Sequence, residues 1–355
     1  MNRSITKMQN KINSISKFTI IFVWAFLIAT VAFPKDLLAN DFIQTFAVKY
    51  GTFTTEQLAI SAKYDMLDCN RFLYDDINGN TWAALKAINP NIEIFLYQGS
   101  RTHDDDDNKN IRFLNNVGRW NISRGHSMGN LNTDNSKLFL LDSNSNRIYS
   151  LFGSYVMDVG SSYIDYWLEA TIHDLANQPW TADGVFIDVV GPRRLSMTKL
   201  PVKYKSDAEW SSAMKKFLNA ITIGLNKKNL KLWGNTEYLR TKFDVEAYIS
   251  LDKSANPPYA LMNEGAFAVE WGAGDVQFYP EADWKLQVDL LSQIHNIKIT
   301  YLSHSNLKQG QSGTDNWGNS VTFWDALWYA MGSFHLGKNV IDNNSYFGFS
   351  ESYST

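Results

Sequence analysis

The chain has 355 residues, enough for one large domain or two small ones, and its 45% hydrophobic and 19% charged residues are the balance of a globular protein with a sizeable core. A net charge of −3 and a pI near 6.1 speak against nucleic acid or an anionic membrane as the main partner. Cys69 is the only cysteine, which excludes an intrachain disulfide and a Cys-rich zinc site.

Arg3, Lys7, Lys11 and Lys17 precede an apolar run from Phe18 to Phe33, a basic region followed by a hydrophobic one too short for a comfortable membrane span. Residues 1–40 are therefore read as a signal peptide or N-terminal anchor, with cleavage after Ala32 or Ala39. Export to an extracellular, periplasmic or cell-surface location is expected, with membrane contact only through an uncleaved leader.

From there strand and helix signals alternate without a long linker, so 41–355 reads as one unit. Strands are expected at Phe46–Tyr50, Tyr64–Leu67, Ile92–Tyr97, Gly184–Ile187, Leu230–Trp233, Ala260–Met262, Ile297–Leu302 and Tyr346–Phe349. Helical spacing marks Glu56–Ser61, Thr81–Ile88, Ser161–Ala176, Asp207–Asn226, Asp283–His295 and Thr322–Gly332. A long polar insertion, about 100–146, separates the third strand from the third helix and carries the acidic run Asp104–Asp107. That run lacks the alternating ligands and glycine of a calcium loop and reads as a solvated tip. Seven or eight β-then-α units in about 310 residues predict a (β/α)8 TIM barrel. A doubly wound open sheet is the alternative, disfavoured because no Gly-rich phosphate turn follows the first strand.

The stretch Asp183-Gly-Val-Phe-Ile-Asp188 is the most informative. Gly184 to Ile187 suits a strand buried on both faces, and it stops on a carboxylate before Gly191-Pro192. In a barrel every strand opens at its C-terminal end onto one face. Asp68, Tyr97, Asp188, Asn235, Glu237, Asn263, Glu264 and His304 all lie at or just beyond such ends. Two facing carboxylates are what glycosidic cleavage requires, one protonated and one ionised. Asp188 and Glu264 are the candidate pair. Glu264 is read as the acid because it reaches further and has Ala266 and Phe267 beside it, but the reverse assignment stays open. Asp68, Asn235, Asn263 and His304 are candidates for holding sugar hydroxyls, and Glu237 for that or for the acid. Tyr97, Trp233 and Trp271 are candidate stacking platforms, since aromatic rings, 14% of this chain, pack on sugar C–H faces as well as in cores. No Gly-x-Ser-x-Gly elbow, phosphate loop or metal-ligand spacing is present, so no cofactor or metal is expected.

The segments Tyr64–Asp68, Glu93–Gly99, Asp183–Asp188 and Asn263-Glu264-Gly265 occur in the order that resembles the exported, glycosyl-hydrolase-like family numbered 15. The Asp183–Asp188 strand is also similar to one in the family 114 endo-galactosaminidases. The resemblance covers most of the chain after the leader. It implies a TIM barrel and a glycoside hydrolase acting on a polysaccharide or oligosaccharide, with Asp188 and Glu264 at the acidic positions. A carbohydrate-binding barrel without turnover is the competing reading.

Overall fold

The computed structural model describes residues 43–49, 53–69, 80–99, 102–103, 138–151, 155–176, 182–195 and 197–351. The expected leader and the acidic run Asp104–Asp107 lie outside them. Among the described residues no helix is long and apolar enough to cross a membrane.

Eight parallel strands close into a barrel: β1 (Gln44–Lys49), β2 (Met66–Cys69), β3 (Glu93–Gly99), β4 (Gly184–Asp188), β5 (Lys231–Asn235), β6 (Ala260–Glu264), β7 (Lys298–His304) and β8 (Ser345–Ser350). Each pairs with the next in sequence and β8 pairs with β1. The helices between them are α1 (Thr55–Ser61), α2 (Asn80–Ile88), α3 (Tyr163–Ala176), α4 (Asp207–Asn226), α5 (Lys242–Asp252), α6 (Glu281–Leu291) and α7 (Phe323–Gly337). This is the TIM barrel that the alternation predicts.

Alternation along each strand decides what faces inward. Phe46, Met66, Phe95, Phe186, Trp233, Ala260, Met262, Leu302 and Tyr346 fill the middle of the barrel. Trp233 sits at the centre with no exposed surface, edge-on to Phe46, Phe95 and Phe186 at ring separations of 5.5, 5.3 and 4.9 Å. Its indole N–H donates to Thr300 Oγ1 at 3.0 Å. Trp233 is therefore core and not a stacking platform. Each such ring contributes roughly 1.5–3 kcal/mol by leaving water. Around the barrel, α4 buries Trp210, Met214, Phe217, Leu218, Ile221 and Leu225, the stripe its spacing predicts.

Three local features depart from what the sequence pattern predicts. Helix α5 is not expected, because its apolar stripe is thin. Its start is nevertheless written in a capping box, Thr241 with Asp244, followed by buried Val245, Tyr248 and Leu251. Helix α6 ends at Leu291 and does not reach His295, since Asp252 Oδ1 takes the backbone N–H groups of His295, Asn296 and Ile297. Helix α7 runs on past Gly332 to Gly337, because Ser333, Phe334 and Gly337 are buried beneath it.

The end of the polar insertion is also more structured than a loop. Leu138, Phe139, Leu140, Ile148, Val156 and Met157 are buried, and bridges tie Phe139 to Met157 and Leu141 to Arg147.

Candidate active site

The ends of β1, β5, β6, β7 and β8 converge on one pocket of about 240 Å³, where Val48, Asn235, Glu264, His304 and Ser350 join Phe186, Met262 and Leu302 in the lining; Asp188 lies beside it, bonded to Asn235. The inward-facing parity that buries Phe186 brings Asp188 to the mouth two residues later. Trp233 and Asn235 are related in the same way, as are Met262 and Glu264.

Asn235 lies between the two predicted carboxylates. Its Nδ2 donates to Asp188 Oδ1 at 2.8 Å and to Glu264 Oε2 at 2.5 Å. These two oxygens can be no further apart than the sum of those distances. Asp188 also accepts from the Tyr97 hydroxyl at 2.7 Å and from the backbone N–H of Val189 at 2.8 Å. Burial pushes the Glu264 carboxyl up to about 8; the negative charges of Asp188 and Glu237 add to this, and the Asn235 hydrogen bond opposes it. Glu264 thus holds its proton at neutral pH, while Asp188 is surrounded by donors.

Backbone geometry past these strands is unusual. Val189 has φ +57°, Glu237 +63°, Gly265 +70° and Phe267 +60°. For a β-branched residue such as Val189 a left-handed backbone is a genuine outlier. The three strands that bear Asp188, Asn235 and Glu264 each turn sharply just after them, and strain of this kind gathers at functional sites. The turns are stitched together by Val190 N–H to Asn235 O at 2.7 Å and Glu264 N–H to Glu237 O at 3.0 Å.

The remaining candidates divide. Asp68 faces inward on β2 and is fully buried, with neither oxygen hydrogen-bonded among the described residues. Burial, then the charge of Asp188, push its carboxyl well above the usual range. Tyr97 packs its ring on Phe186 at 5.9 Å and donates its hydroxyl to Asp188, so it supports the carboxylate directly. His304 is buried, and burial lowers it to about 3, so it is neutral at any ordinary pH. Trp271, 42% exposed, lies with ring centroids 5.1 Å from His304 and 6.4 Å from Tyr238, on the rim where a platform would stand. Glu237 is buried beyond β5 and raises Glu264 through its charge.

Asn263 is a correction. It follows Met262 on the outward face of β6, where its Oδ1 accepts from Leu239 N–H at 3.0 Å and its Nδ2 reaches Gln287. Its amide fastens the barrel wall to the loop after β5 and to α6, away from the pocket. Tyr238 and Arg240 have no sequence signal of their own. Arg240 stacks over the Tyr238 ring at 4.1 Å, which brings the pair to the rim beside Trp271.

No curated protein matches the chain. Several solved structures align with it. A psychrophilic family 10 endo-β-1,4-xylanase is 9% identical, with 90% of each chain covered and a TM-score of 0.46. A chitinase from Chromobacterium violaceum is 10% identical over 74% of this chain and 68% of its own, with a TM-score of 0.38. A family 20 exo-β-N-acetylglucosaminidase from Vibrio harveyi is 9% identical over 87% of this chain, which spans 50% of that enzyme, with a TM-score of 0.43. The model of hypothetical glycosyl hydrolase family 15 matches residues 86–354, from the end of α2 through β8, and the chain belongs to that family.

Proposed function

We propose that the protein is an exported retaining glycoside hydrolase acting on a polysaccharide, with Asp188 as nucleophile and Glu264 as acid and base. The observation that carries this reading is the single Asn235 nitrogen bonded to both carboxyl groups. It brings one oxygen of each carboxyl group onto the same donor, a closeness compatible with the roughly 5–5.5 Å between carboxyl groups that a double displacement uses. The raised Glu264 supplies the second requirement, an acid still protonated at neutral pH. Export is supported by the basic and then apolar amino terminus.

In the first step Asp188 attacks the anomeric carbon while Glu264 gives its proton to the leaving oxygen. The glycosidic bond breaks and a glycosyl ester forms on Asp188. Glu264, now a carboxylate, takes a proton from water; the hydroxide attacks the same carbon and releases Asp188. The anomeric configuration is inverted twice and so retained.

The test is release of reducing ends from a polysaccharide panel by the wild type, Asp188→Asn and Glu264→Gln, with the anomer of the first product read by proton NMR. Loss of at least about 1,000-fold in both folded variants, with a retained anomer, is the expected result. Activity that survives both changes would overturn the assignment. Binding of a polysaccharide by the wild type without cleavage of any would favour a carbohydrate-binding barrel instead.

A further inference from the structure

The Asn235 side chain makes three hydrogen bonds, and only one orientation of its amide satisfies them. Nδ2 donates to Asp188 and Glu264, while Oδ1 accepts from the backbone N–H of Glu237 at 2.9 Å. Flipped, the amide oxygen would face carboxyl oxygens and the amide nitrogen would face another donor. The Glu237 N–H therefore determines which end of the amide points at the pair. It reaches back two residues across a tight turn, and the chain continues through Glu237 in the left-handed region, at φ +63°. The turn is also held rigidly. Thr236, between them, donates its backbone N–H to Met262 O at 3.0 Å and its hydroxyl to the same carbonyl at 2.7 Å, and Glu237 O accepts from Glu264 N–H at 3.0 Å.

We propose that Asn235 is a positioning residue that clamps Asp188 and Glu264 at one separation, and that the backbone N–H of Glu237 fixes the polarity of that clamp. The proposal rests on the assignment of the two carboxyl groups as the reacting pair. An amide nitrogen carries two hydrogens, one for each carboxyl group. In the proposed mechanism Asp188 is the attacking carboxylate. Once Asp188 is esterified and Glu264 has lost its proton, the charge has moved to Glu264, where the second hydrogen already waits. A donor in place at both positions needs no reorganisation as the charge moves.

Among the described residues, the titratable groups around Glu264 are Asp188 on β4, Glu237 after β5 and His304 on β7, with Tyr64 and Glu351 lining the same pocket and Asp68 on β2 and Tyr97 on β3 adjoining Asp188. The test is a carboxyl titration by carbon-13 NMR of glutamate-labelled protein without substrate, in the wild type, Asn235→Ala and Asn235→Ser. Loss of a donor to the charged form should move the Glu264 midpoint upward in both variants. With substrate, the alkaline limb of the rate profile should move in the same direction, and kcat should fall about 100-fold with KM changed far less. An unshifted Glu264 midpoint in a folded Asn235 variant would overturn the clamp. The titration needs no turnover. A shifted midpoint in a protein whose wild type cleaves nothing would keep the clamp and remove the hydrolase.

Discussion

Both ends of this barrel hold buried or half-buried carboxyl groups, and they treat them in opposite ways. At the base, Glu93 on β3 bonds the ammonium groups of Lys231 and, at 3.1 Å, Lys298, while the Tyr259 hydroxyl approaches its two oxygens at 2.5 and 2.6 Å. Burial would raise Glu93, but the bonds from Lys231, Tyr259 and Lys298 together outweigh it and hold the group below its usual value. At the mouth, the charges acting on Glu264 are other carboxylates, and burial and repulsion work in the same direction. An acid matched to cations is fixed in one charge state and holds strands together. An acid set among acids keeps a proton available, and that is the condition for general acid catalysis. The two ends differ in counter-charge and also in burial, which is deeper at Glu264.

The sharpest way to break this contrast is to neutralise one acid at each end. Asp188→Asn should cost at least about 1,000-fold in activity with little change in melting temperature, whereas Glu93→Gln should leave kcat near that of the wild type. An activity loss of similar size from Glu93→Gln would mean that the base is not merely structural. Next in size is stability. Glu93→Ala leaves Lys231 and Lys298 facing each other without their anion, and urea unfolding should show a loss of about 3 kcal/mol at neutral pH. Because Glu93 lies below its ordinary value, its contribution is complete above about pH 4.5 and fades as pH falls through the folded value, so the difference between wild type and variant should shrink in acid.

Glu264 should behave with the opposite sign. Its folded value near 8 lies above the ordinary 4.5, so the folded state binds the extra proton between those limits and wild-type stability falls as pH rises across them. Glu264→Gln carries no such dependence. It should be more stable than the wild type at pH 8, by on the order of 1–3 kcal/mol, with that advantage gone near pH 4. A variant less stable at both pH values would argue that the carboxyl is structural. The smallest effect belongs to the rim: Trp271→Ala should raise KM by about 3- to 10-fold with kcat little changed, since it removes one stacking face.

Much of this architecture is legible in the order of the residues. The fully buried strands announce themselves as short apolar runs, and Gly184–Ile187 and Ile297–Leu302 fall within a residue or two of β4 and β7. The candidate carboxylates are legible for the same reason, since parity along a strand that buries Phe186 and Met262 must also bring Asp188 and Glu264 inward. Parity applied strictly would also exclude Asn263, one residue out of phase. Helix α5 is hidden because its face against the barrel is short and its signal lies in a cap, Thr241 with Asp244. Trp233 and Trp271 are the same residue type in similar company, and nothing local separates a ring at the barrel centre from one on the rim.

The sequence by itself determined the order of strands and helices, and which residues end the strands. These follow from periods of two and 3.6 residues and from short-range turn chemistry. Only the closed barrel decided what those strand ends do together. Asp188, Asn235 and Glu264 are 47 and 29 residues apart in the chain, and their shared hydrogen bonds exist only because β4, β5 and β6 are neighbours in one sheet. The charge state of an acid is likewise set by what surrounds it across space: Glu93 meets lysines and Glu264 meets other acids, and no spacing along the chain encodes that difference.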